Sequence, residues 1–209
     1  MTLKDDLMYE IDWRISELVL IKTNHLSNNL SATRRSVIKK FSVVAIYAIF
    51  EGFIVQAFEL YVDAINKLKL DWKLLHINIL NYHLDRTYGI HKEIRKKTEK
   101  QLDLVIDLQN FFNSPKVVLS KKIQTESNVN LKVLNKLLTN FNITNIGDKK
   151  VENGLNKLLQ YRNSIAHGEN TLKVESDLIT ELIDAVTYTM DLVADSLIVG
   201  FNNKSYLKN

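Results

Sequence analysis

Apolar residues recur along this chain at steps of three and four, the spacing that lines one face of an α-helix. Thr2-Leu3-Lys4-Asp5 reads as a capping box, because the Thr hydroxyl can accept from the third helical amide while Asp5 reaches back. From there Leu3, Leu7, Ile11, Ile15, Leu18 and Ile21 or Lys22 form one stripe to about His25, and the Asn- and Ser-rich stretch from Asn24 to Ser31 closes it. Between about Ser31 and Lys69 the apolar pattern wraps almost the whole circumference from Phe41 to Val62, which predicts a central helix. Asp71 is placed to cap a third helix running through Trp72, Leu75, Ile79 and Leu84 to about Arg86, with Gly89 at its end.

Thr98 to Phe112 reads as a fourth amphipathic helix through Leu102, Val105, Leu108 and Phe112, stopped before Pro115. Lys116 to Ser127 is ambiguous, with Lys116 to Leu119 open to a short extended piece. Asn130 to Phe141 is a short helix, and Asn142 to Gly147 its connection. Asp148 to Ala166 is the next, turning Val151, Leu155, Leu158, Leu159 and Ile165 inward, with Gly168 placed as the left-handed residue beyond its end. The last runs from Ser176 to Gly200 through Leu178, Leu182, Ala185, Val186, Met190, Val193 and Leu197.

A single proline and six glycines leave few points at which a helix must break, so the expected class is all-α. With 209 residues and no internal repeat or linker, a single domain spanning residues 1–209 is expected. The absence of cysteine excludes a disulfide framework, a thiol nucleophile and a thiolate metal site, and fits a cytoplasmic location. Asp5, Asp6 and Glu10 replace the basic start of a secretory signal. The most apolar run, Val43 to Phe50, meets Glu51 far short of the ~20 residues a bilayer requires, so no membrane span is expected. A net charge of +4 permits an anionic partner without demanding one.

One segment carries concentrated chemistry: Arg162-Asn163-Ser164-Ile165-Ala166-His167. At about 100° per residue Asn163 and His167 share nearly one line, whereas Arg162 stands about 140° from His167 and must swing round to join them. A helix carboxyl end favours a cation, so the imidazolium is electrostatically welcome there. Joined, the turn offers a guanidinium fork for a phosphate beside an imidazole that can move protons, with an amide to orient either. Such a pair can take the proton of a ribose 2′-hydroxyl, or protonate a leaving 5′-oxygen, while Arg162 meets the charge of a pentavalent phosphate. No metal or other cofactor is required. Each chain has one such His, so a homodimer would supply both an acid and a base in a composite cleft.

Glu51 interrupts an apolar helix and needs a partner; it either supports Arg162 from behind or serves a structural ion pair or hydrogen bond. Gly52 reads as a point of close helix packing. His76 and His83 lie two turns apart, over about 10 Å, too far to share a metal. Lys92, Arg95, Lys96 and Lys97 form a basic run that is either a solvated face or an RNA-backbone contact. Trp13 and Trp72 read as core.

Tyr161-Arg162-Asn163-Ser164-Ile165-Ala166-His167-Gly168-Glu169 resembles the signature of the HEPN (higher eukaryotes and prokaryotes nucleotide-binding) family, in which a polar residue follows the Arg. Asp12-Trp13-Arg14, Tyr47-Ala48-Ile49-Phe50-Glu51-Gly52-Phe53 and Asn130-Leu131-Lys132-Val133-Leu134 resemble one prokaryotic branch of it. The resemblance implies a helical bundle with additional helices that dimerises and cuts RNA without metal. It makes Arg162 and His167 the catalytic pair and Asn163 their accessory. It also implies a toxin or phage-defence effector, with an antitoxin or other partner protein. The alternatives are a non-catalytic RNA-binding or regulatory module, and a helical interaction domain in which the motif only ends a helix.

Overall fold

Short-range capping chemistry sets most of the helix ends in the computed structural model, which describes residues 2–24, 26, 30–90, 98–114, 116–169 and 173–208. Helix α1 (Leu3–Asn24) starts where expected: the Asp5 amide donates to Thr2 Oγ1 at 3.2 Å and the Thr2 amide to Asp5 Oδ2 at 2.9 Å. Helix α2 (Ala32–Lys67) is capped by Ser31, and α5 (Leu131–Asn140) by Asn130, whose side chain accepts from the Val133 amide at 2.9 Å. Asp148 caps α6 (Lys149–Ala166) by accepting from the Lys150 amide at 2.7 Å. The remaining helices are α3 (Ile77–Tyr88), α4 (Thr98–Asn113) and α7 (Ser176–Asn202). Among the described residues the fold is all-helical, joined by loops and one isolated β-bridge between Leu75 and Leu207.

Helices α2 and α7 form the centre, because each is apolar around most of its girth. Phe50, Phe53, Ile54, Ala57 and Phe58 of α2 are fully buried, as are Leu182, Val186, Met190, Val193 and Leu197 of α7. At about 25 cal/mol per Å2, each such large side chain contributes roughly 1.5–3 kcal/mol. By length and composition α2 could also cross a membrane; half of its most apolar window is buried in the bundle, as a central helix requires. Helix α6 runs antiparallel to α7: Tyr188 of α7 donates to Asp148 at 2.8 Å, and Lys157 meets Glu181 at 2.6 Å. Gly154 makes the approach close, since a Cβ there would lie 2.6 Å from that of Ala185.

The structure departs from the sequence reading at four places. In α1 the buried stripe is Leu7, Ile11, Arg14 and Leu18, with Ile15 only half-buried. Arg14, 5% exposed, is tolerated there because Glu10 pairs with it and the Trp13 ring covers it at 4.1 Å. Trp13 is therefore a surface lid, not core, and Gly52 leaves room for the Arg14 guanidinium, 3.8 Å from where a Cβ would stand. Asp71 caps only a 3-10 turn, Trp72–Leu74; Leu75 is extended, and α3 restarts under a His76 cap. The α4 stripe forms but is not covered, with Leu102, Val105 and Phe112 exposed and Phe111 instead turned inward.

Residues 116–129 adopt no regular structure, yet Val117 and Leu119 are buried while Val118 between them is exposed, the alternation of an extended piece. Its partners are side chains. Asn66 accepts the Leu119 amide at 2.7 Å and donates to the Leu119 carbonyl at 3.1 Å, standing in for a neighbouring strand. His83 Nδ1 accepts from the Ser120 amide at 3.1 Å, and the Tyr82 hydroxyl donates to Lys122 O at 2.9 Å. His83 and His76 thus both serve as backbone acceptors.

Candidate functional site

The last turn of α6 ends by a hydrogen-bond pattern that only a left-handed residue completes. Gly168, at φ +75°, donates to Ile165 O at 3.1 Å, and Glu169 donates to Ser164 O at 3.0 Å, a Schellman ending. His167 is consequently the C-cap, exposed, with its own amide bonded to Asn163 O at 2.9 Å. A Cβ at Gly168 would meet no neighbour, so its backbone angle alone calls for glycine.

Arg162 and Asn163, both half-buried, face inward from His167. Arg162 Nη1 donates to Asn163 Oδ1 at 2.9 Å, so it reaches one of the two residues it was expected to join. The guanidinium then lies over the Tyr47 ring of α2, 4.7 Å from its centroid. A half-buried contact of this kind contributes about 1–2 kcal/mol.

Tyr47 is held in turn. Its hydroxyl accepts from the buried Val129 amide at 3.1 Å, and Glu51, one turn along α2, accepts from Thr125 Oγ1 at 2.5 Å. Burial raises the Tyr47 phenol above its ordinary value; the Glu51 carboxylate adds to the rise, against the Val129 amide and the Arg162 cation. The phenol stays neutral at physiological pH. Glu51 thus serves a structural hydrogen bond with Thr125, beside the Tyr47 that carries Arg162.

Tyr47 is a site residue to which the Arg-x4-His motif itself does not point. Its signal was the spacing of Tyr47 and Glu51, two polar-tipped side chains four residues apart on one face of an apolar helix, each of which needs a partner when buried. Thr125 and Val129 carried no such signal. Lys92, Arg95, Lys96 and Lys97 lie outside the described residues. A cavity of about 920 Å3 between α6 and α7 contains none of the motif residues; its walls set Lys149, Lys150 and Lys157 against Asp177, Glu181 and Asp184. That balance offers an anion little.

The all-helical bundle has the form of a HEPN domain. A family model described as RiboL-PSP-HEPN matches residues 9–199, and the chain belongs to that family. No curated protein and no solved structure matches it. Membership in a HEPN family points to a ribonuclease or RNA-binding role.

Proposed function

We propose that the chain is a metal-independent endoribonuclease in which Arg162 and His167 carry the chemistry and Asn163 orients Arg162. The observation behind this reading is the fixed guanidinium, bonded to Asn163 and seated on Tyr47, on the same helix turn as an exposed imidazole. His167 of one copy takes the proton of a ribose 2′-hydroxyl, the 2′-oxygen attacks phosphorus, and the P–O5′ bond breaks. The 5′-oxygen receives a proton from the imidazolium of the second copy. Arg162 stabilises the charge that builds on the phosphoryl oxygens. The products are a 2′,3′-cyclic phosphate and a 5′-hydroxyl, and DNA, lacking the nucleophile, is not cut.

Two copies are required by this proton economy. An apolar strip supports the pairing: Val37, Phe41, Val44 and Ala48 fall within about 60° of one another around α2, beside the Tyr47 platform. Phe41 is 67% exposed. We assign this strip to a homodimer contact that brings two α6 ends together. The sequence resemblance supports a toxin or phage-defence effector restrained by a partner protein, and the lack of cysteine fits a cytoplasmic location.

His167→Ala abolishes cleavage of RNA in EDTA while helicity and the melting temperature are retained. Cleavage by that variant overturns the assignment. RNA binding by the wild-type chain without a cyclic-phosphate product identifies a non-catalytic RNA-binding module instead.

A further inference from the structure

The same contacts that orient the helices define which end of the molecule the motif faces. Helix α7 runs parallel to α2, since Glu175 meets Lys39 at one end and Gly200 packs by Tyr61 at the other, while α6 runs antiparallel to α7. The carboxyl end of α6, with His167, therefore points toward the amino-terminal part of α2. There a groove of about 380 Å3 opens between α2 and the segment entering α7, lined by Arg35, Ser36, Lys39, Lys40, Lys173 and Glu175. Four cations face one carboxylate. No acidic residue occurs in α2 before Glu51.

Among the described residues the charges of Lys39 and Arg35 are incompletely answered. The Lys39 side chain is only 13% exposed, yet the Glu175 carboxylate it meets at 3.3 Å is 71% exposed. An exposed partner offsets little of the desolvation of a nearly buried ammonium. Arg35 Nε is buried with no hydrogen-bond partner, and Arg35 Nη2 reaches only the Leu30 carbonyl, at 3.5 Å. Lys39 lies about 12 Å along α2 from Tyr47, which carries Arg162. Two cationic points spaced that far along the α2 axis, Lys39 of α2 and Arg162 of α6, exceed the reach of a single phosphate and suit a chain of them.

We propose that this groove binds the phosphodiester backbone of the RNA strand next to the linkage held at Arg162. This rests on the ribonuclease reading for the identity of the polymer, but not for its affinity. Lys39 and Lys173 clasp the strand from opposite walls, and Glu175 weakens the contact by competing for Lys39.

The test measures binding of a fluorescent 2′-O-methyl single-stranded RNA, which lacks the attacking hydroxyl and is not cut, by His167-intact protein across a salt series, together with kcat and KM for cleavage of the unmodified RNA. For Lys39→Gln/Lys173→Gln, the slope of log affinity against log salt is expected to fall by about 1.4, or about 0.7 per lost contact. Between 50 and 200 mM salt the wild type then loses about sevenfold more affinity than the variant. KM rises and kcat holds. Glu175→Gln is expected to bind RNA more tightly, a gain that misfolding does not produce. The control Lys116→Gln/Lys132→Gln removes equal charge at exposed sites elsewhere. A slope and KM equal to the control's, with Glu175→Gln no tighter than wild type, overturn the groove while leaving cleavage intact. Loss of binding in the double variant of a chain that cuts nothing upholds the groove and sinks the catalytic reading instead.

Discussion

Replacing Tyr47 separates what its ring does from what its hydroxyl does. The ring seats Arg162 at 4.7 Å, a contact of about 1–2 kcal/mol in a half-buried setting, and the hydroxyl accepts from the buried Val129 amide. Tyr47→Leu removes both. If the seat holds Arg162 where the transition state needs it, kcat falls about 5- to 30-fold, at 1.36 kcal/mol per factor of ten. Tyr47→Phe keeps the aromatic face, so kcat of the folded protein stays within about threefold, but the Val129 amide loses its acceptor at about 1–3 kcal/mol. For a chain of this size that lowers the melting temperature by about 2–12 °C. The assays are single-turnover cleavage of a defined RNA below each variant's melting temperature, and thermal unfolding followed by circular dichroism. Equal loss of kcat in Phe and Leu variants, or full activity in Leu, refutes the positioning role.

Burial holds His83 down at about 4, against an ordinary 6.5, so between those pH values the unfolded chain takes up a proton that the folded chain refuses. Stability is then unaffected above pH 6.5 and falls as the pH drops from 6.5 toward 4, by up to about 3 kcal/mol; urea unfolding of wild type and His83→Gln at pH 7 and 4.5 checks it, and an equal fall in both rejects it. Gly154→Ala is expected to destabilise by about 1–3 kcal/mol, despite the better helix propensity of alanine, because its Cβ would stand 2.6 Å from that of Ala185. Adding Ala185→Gly should recover part of that loss, and strict additivity in the double variant would show that the two do not touch.

Most helix ends were legible because they are local. Thr2 with Asp5, Ser31, Asn130, Asp148 and Gly168 act within a few residues of themselves, and residue type and spacing suffice to read them. The location of Arg162, Asn163 and His167 on the final turns of α6 was legible for the same reason, down to the swing that brings Arg162 to Asn163.

What the sequence left open involves partners distant in the chain. Arg14 reads as a surface residue until Glu10, Trp13 and the gap at Gly52 give it a buried seat. The α4 stripe has helical spacing, but spacing does not say whether a neighbour will cover it. Residues 116–129 have no periodicity to read, since Asn66, Tyr82, His83 and Tyr47 supply their backbone partners. The sequence by itself determined the helices and the place of the Arg-x4-His turn, through capping and the 3.6-residue period. Only the tertiary structure decided that Arg162 rests on Tyr47, that Glu51 bonds Thr125 beside it, and that Arg35, Lys39 and Lys173 share a groove at the same end. Those arrangements depend on which helix faces pack together, a choice made by burial over the whole bundle.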